Sequence, residues 1–314
     1  MPRTLEELGK ASGFGVALTY ALGMLVVTLH QARYGVWPVE ILKPRAFGAG
    51  VLFVSTWAMG AFMAAHCFNR YGFESRLFAP GMSARTEGLV RMAKLVAVTA
   101  AVGLGLSRFL FADNDPTGWN VRPMAVVVAA YLLYVGAAHV SLLRDRYRLA
   151  LAILSMTLVA VGFWFWDRQG GTLVSWLWIS GFMTTRARDV LGDIRLGGPE
   201  EIAVKGISLV VLIFFFTAKI YGNASPGLGG GFSPSVVIKM KKDSQADPSR
   251  PDLYRVYLLD ENERGFYVLE QRSSQEVFWL PRELTTIVTY RPAAPAASDQ
   301  SKAPAGGGPT AAPH

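Results

Sequence analysis

The sequence predicts a membrane-embedded all-α bundle of about seven transmembrane helices, with six as the alternative count, followed by a small all-β, barrel-like domain. Three observations lead there. Of the 314 residues, 51% are hydrophobic and only 17% are charged, whereas a soluble domain carries about 25% charged residues. The apolar residues fall in long blocks rather than at helix or strand periodicity. After residue 222 the blocks give way to short runs rich in Val, Ile, Tyr, Phe and Thr.

Crossing about 30 Å of hydrocarbon takes roughly 20 apolar residues. Within a helical region at 1–222, blocks near 13–30, 46–68, 88–111, 124–143, 149–166 and 202–222 meet that length. A seventh, 169–185, reads "QGGTLVSWLWISGFMTT"; it is uncharged but short, and is either a span or an interfacial segment. Charge separates the two. With seven spans and the N-terminus inside, the inner connections carry thirteen Lys/Arg and the short outer ones six. Without the seventh, Arg186, Arg188 and Arg195 change sides and the split becomes ten against nine. The positive-inside rule thus favours seven and puts the C-terminal domain outside, although the rule does not govern long C-terminal domains.

No basic leader precedes the first block: "MPRTLEELGKASG" carries Glu6 and Glu7, so the first span is expected to act as its own insertion signal. Ala-, Gly- and Arg-rich usage suggests a bacterial protein of the inner (plasma) membrane, N-terminus cytoplasmic. The net charge of +8 clusters at block ends, where anionic lipid headgroups account for it without nucleic acid. Trp164, Trp166, Trp176 and Trp178 flank "DRQGG" and are expected at the membrane interface. Gly48, Gly50, Gly60, Ala64 and Ala65 would let helices approach closely.

Beyond a Gly/Pro linker at 223–234, the runs "SVVIKMK", "LYRVYLL", "FYVLEQR", "EVFWL" and "LTTIVTY" predict five strands in 235–291. Five short strands fit a small barrel closed on itself. Nine Lys/Arg balance nine Asp/Glu between Val237 and Arg291, so the domain has no basic stripe for nucleic acid. A unit this small leans on the membrane part, on copies of itself as a homo-oligomer, or on a protein partner. The Pro/Ala/Gly tail at 292–314 cannot bury a core and is expected to be disordered.

Ionisable residues within spans mark candidate sites, because lipid penalises them. His66 and His139 lie near the inner ends of two parallel spans, and Lys94 enters from the same side. They form either a shared polar site, such as a titratable gate, or ordinary helix-to-helix contacts. Cys67 beside them lacks any metal-ligand spacing, so neither a metal nor another cofactor is expected. No paired carboxylates, His-Glu-x-x-His motif or Ser/His/Asp set indicates an enzyme.

The linker "SPGLGGGFSPSVV" holds Gly229, Gly230 and Gly231 ahead of Pro234. Three glycines permit positive φ and close backbone approach; the segment is a tight connector, a hinge, or a backbone nest for an anion. "GGGFSPS" looks locally like the anion-binding loop of chloride channels, but it runs into "KMKKD" and strands instead of opening a membrane helix. Over a longer stretch, Pro226, Leu228, Gly229, Gly230, Gly231, Pro234 and Val236, with "YGVWPVEILKPRAFGAG" before the second span, resemble a group of uncharacterised bacterial multi-pass proteins with a Pro-x-Leu-Gly-Gly-Gly linker and a C-terminal β-domain. The chain departs from that group in having "FSP" where a basic residue and Pro are usual. The resemblance implies the architecture and no activity. Two functions are then open: a channel or transporter-like unit regulated by the β-domain, or a non-transporting anchor whose β-domain binds an envelope or cytoplasmic protein.

Overall fold

The structure, a computed structural model, describes residues 2–36, 44–68, 83–111, 121–140, 143–192, 199–241, 253–271 and 276–290. The tail at 292–314 lies outside them. Among the described residues are seven helices: α1 (Pro2–Ala32), α2 (Pro44–Phe68), α3 (Ala84–Leu110), α4 (Val121–His139), α5 (Asp145–Trp166), α6 (Arg168–Gly192) and α7 (Pro199–Lys219). All but α6 contain a stretch long and apolar enough to cross a membrane. Their outward faces carry large apolar side chains: Phe14, Phe62, Phe109, Leu132, Phe165 and Phe214 are all more than half exposed, a surface compatible with lipid.

Helix α6 is as long as the others and less apolar for a physical reason. It packs on α2 and α3, with α5 and α7 also against it, and Leu173, Trp176, Leu177 and Ser180 are fully buried there. A helix enclosed by protein can afford glycines and hydroxyls, provided the hydroxyls are bonded. Ser180 Oγ donates to Leu177 O (3.1 Å) and Thr184 Oγ1 to Ser180 O (2.6 Å), so neither costs an unmet polar group. Trp176 therefore departs from the interfacial placement expected of it: its ring lies 5.6 Å from Phe53 and 5.3 Å from Phe216 in the core. Trp164 and Trp166 are exposed near the end of α5.

Asp167 makes the corner between α5 and α6. Its backbone N–H donates to Phe163 O (3.1 Å), closing α5, and its Oδ1 accepts from Gly170 N (2.7 Å), capping α6. At the opposite end Ser83 caps α3 through Thr86 N, and Asp145 at the start of α5 accepts from Thr86 Oγ1 (2.9 Å). The close helix approaches anticipated from the small residues are present. A Cβ on Gly50 would overlap Thr19 O of α1, one on Gly23 would overlap Ala46 O of α2, and one on Gly60 would overlap Ser180 Oγ of α6.

Five antiparallel strands follow: β1 (Ser235–Met240), β2 (Leu253–Asn262), β3 (Gly265–Leu269), β4 (Val277–Pro281) and β5 (Thr285–Tyr290), in the order β4-β3-β2-β1-β5. Val236, Ile238, Val256, Leu258, Phe266 and Val268 form its apolar core. The sheet curls into a half-barrel and, among the described residues, β4 and β5 do not pair, so the closed barrel expected from strand count is corrected to an open one. An irregularity between Leu258 and Asp260 in β2 inserts Leu259 into the β2–β3 ladder. Such a bulge re-aims the side chains beside it, and here both Leu259 and Asp260 are buried, Asp260 against Gln31 of α1.

Polar contacts fix which ends lie together. Gln31, at the end of α1, reaches Asp260 in β2; Ser225 N, after α7, donates to Leu110 O, the end of α3 (2.8 Å); Arg108 stands 3.9 Å from Asp167 at the end of α5. The C-terminal ends of α1, α3, α5 and α7 thus share one face of the bundle, and the half-barrel sits on it.

Candidate functional site

The residues singled out in the sequence are distributed over two ends of the molecule. His66 and His139 are exposed, while Lys94 is buried in α3. Helices α2 and α4 both pack on α3, and the His139 ring lies 6.4 Å from that of Tyr134. Cys67, not His66, turns inward toward the Lys94 side of α3. The two histidines thus stand on the outside of the bundle and Lys94 inside it.

The glycines of the linker are brought into a site, though not as a swivel. Tyr221–Asn223 and Pro226–Leu228 form two 3-10 turns, and Gly229 follows in the left-handed region at φ +79°. Every glycine N–H from Gly229 to Gly231 is used internally: Gly229 N donates to Pro226 O (2.9 Å), Gly230 N to Ser225 O (2.9 Å) and Gly231 N to Tyr221 O (2.7 Å). No N–H of these three is left to form the anion nest. Gly230 and Gly231 are buried, and a Cβ on Gly229 would stand 2.6 Å from Gly48 Cα. Pro234 O accepts from Leu258 N (3.0 Å), tying the segment to β2 as well. In the structure the segment is packed against α2 and the N–H groups of Gly229, Gly230 and Gly231 are bonded to backbone, which gives a hinge at these residues no support.

Around that seat lies a buried polar cluster which the sequence did not announce. Gln31 Nε2 donates to Asp260 Oδ2 at 2.8 Å, with Gln31 1% and Asp260 7% exposed. From the first turn of α2, Arg45 Nη1 donates to Leu259 O (2.9 Å) and Nη2 to Gly230 O (3.2 Å), while Nη1 lies 3.9 Å from Asp260 Oδ1. One guanidinium thus holds helix, linker and sheet together, which suits the planar fork of arginine and not the point charge of lysine. Its carbon also lies 6.0 Å from the Tyr221 ring centroid. His30 packs edge-on to Tyr221 at 5.1 Å, and the Gly231 backbone stands beside its Nε2 without closing a well-formed hydrogen bond.

Next to the cluster, between α2, the linker and β2, opens a groove of about 810 Å³ lined by Phe47, Val51, Phe232 and Leu258 with Arg45, Asp260 and Glu261. Its lining is mixed apolar and charged, and no group of three or more metal-ligating side chains occurs among the described residues. The arrangement is suited to holding a domain in place.

Signals for the cluster were present but read otherwise. His30 ends the first apolar block and Gln31 follows it, Arg45 immediately precedes the second block, and Asp260 opens the polar stretch "DENERG". No known family profile matches the chain, and neither a curated protein nor a solved structure proves similar to it.

Proposed function

We propose that the protein is a non-transporting membrane scaffold: the helical bundle anchors the chain and holds the half-barrel rigidly on one membrane face, where the half-barrel binds a protein partner. The observation that carries this is the three-way hold of Arg45 on Leu259 O and Gly230 O, beside the buried Gln31–Asp260 hydrogen bond. A domain held by buried polar contacts has one orientation to present. Regulated permeation would instead require a linker that transmits motion, and the packed glycines give it no support.

The surface offered to the partner is strand β4. It is an edge of the sheet among the described residues, and Phe278 and Trp279 are 47% and 40% exposed on it. An edge strand with free backbone groups invites strand addition, and exposed aromatics supply the anchors that dominate binding energy. The charge bias of the connections supports a cytoplasmic N-terminus with the half-barrel on the opposite side, and the Ala-, Gly- and Arg-rich usage supports a bacterial plasma membrane.

A photo-crosslinking amino acid at Phe278 of the full chain in living cells tests this. A discrete adduct with another protein that disappears in Trp279→Lys is expected. Adducts unchanged by that substitution, or ion flux through the purified protein in liposomes, would overturn the scaffold assignment.

A further inference from the structure

A second cleft lies away from the half-barrel seat, between α5 and α7 with α6 as its floor. It measures about 700 Å³ and is lined by Val159, Phe163, Trp164, Trp178, Ile179 and Phe215, among others. The hydroxyls on its floor are already satisfied: Thr172 Oγ1 donates to Arg168 O (2.8 Å) and Ser175 Oγ to Gly171 O (2.9 Å). The floor is therefore chemically apolar, although Ser175 is exposed. Two cations stand at one end, Arg168 as the first residue of α6 and Lys219 as the last of α7, and no carboxylate among the described residues lines the cleft. Asp167, the nearest acid in sequence, is occupied with Gly170 N and Arg108 and is not part of the lining. The positive end of the α6 peptide dipole lies at the same mouth.

The dimensions select the occupant. From Arg168 to Ile179 the floor runs roughly 16 Å along the helix axis, about half of the ~30 Å hydrocarbon thickness, which is one leaflet. We propose that this cleft holds one acyl chain of an anionic glycerophospholipid, with its phosphate at Arg168 and Lys219 on the half-barrel face. An apolar slot one leaflet deep with a doubly cationic mouth matches a lipid with a net negative headgroup, and a zwitterionic lipid fits the slot but not the mouth. The site stands independently of the scaffold assignment, since no residue of the half-barrel or its seat contributes to it.

Native mass spectrometry of the detergent-solubilised full chain, supplied with phosphatidylglycerol or phosphatidylcholine of the same acyl chains, tests the proposal. One phosphatidylglycerol per chain is expected to be retained, at least about tenfold over phosphatidylcholine. Arg168→Gln with Lys219→Gln should abolish the preference, and Ser175→Phe should abolish retention of both lipids. Equal retention of the two lipids, or a preference that survives the double substitution, would overturn the site; so would a dimer of the wild-type chain that Ser175→Phe disrupts, because a second copy would then be the occupant. A measurement on the unaltered protein guards against variants that fail to fold. Phosphatidylglycerol brominated on its acyl chains should quench the tryptophan fluorescence more than brominated phosphatidylcholine, and equal quenching would refute the assignment.

Discussion

Gly48 in α2 and Gly229 in the linker meet backbone to backbone: a Cβ on Gly48 would stand 2.9 Å from Gly229 Cα, and one on Gly229 would stand 2.5 Å from Gly48 C. Gly229 also has φ +79°, so a side chain there meets strain as well as overlap. Gly229→Ala is expected to cost about 1–2 kcal/mol from the left-handed backbone alone, plus the overlap. Gly227→Ala, whose added Cβ would meet only Ser225 Oγ at 3.7 Å, should be close to neutral. Thermal unfolding of the two variants side by side checks the pair.

The Gln31–Asp260 hydrogen bond joins a helix end to a strand 229 residues away in sequence. Gln31→Ala should cost about 1–3 kcal/mol, because it leaves a buried carboxylate oxygen short of a donor. The cost should shrink when Asp260→Ala is already present, giving a coupling of about 0.5–3 kcal/mol. A double-mutant cycle, read as protease release of the half-barrel in denaturant, measures it. Additive losses would mean the two side chains do not act on one another.

Arg45 donates to two carbonyls on different segments. Arg45→Lys keeps the charge and loses the fork, so it should loosen the half-barrel nearly as much as Arg45→Met does. Rescue by lysine would assign the hold to charge and not to geometry; the same proteolysis assay separates the outcomes.

At the α5–α6 corner, Asp167→Ala removes the cap on Gly170 N and should cost about 1 kcal/mol, whereas Asp167→Ser should recover most of it. Thermal shift of the detergent-solubilised chain is the readout.

The apolar blocks were legible because hydrocarbon thickness would impose a length on them, and each of the seven helices overlaps the block that announced it. What the blocks could not convey is enclosure. Trp176 reads as a belt residue from composition, yet its ring is buried against Phe53 and Phe216, because position around a bundle depends on which helices surround it. The strands were likewise legible from β-branched and aromatic runs, but the open edge was not, since closure depends on curl and not on strand count. The polar cluster was hidden for a related reason: Gln31, Arg45 and Asp260 are each unremarkable locally and acquire meaning only through long-range contact. The stretch with "RAFGAG" and the linker "GLGGG", far apart in sequence, likewise meet only in space, through Gly48 and Gly229.

Whether the linker is a fixed seat is decided most directly by amide hydrogen exchange at Gly229, Gly230, Gly231 and Phe232 in the intact protein. A fixed seat predicts protection matching that of the β1 amides, since each of the four N–H groups is bonded to backbone. Exchange at the rate of an open loop would contradict it, and would return the segment to the role of a hinge.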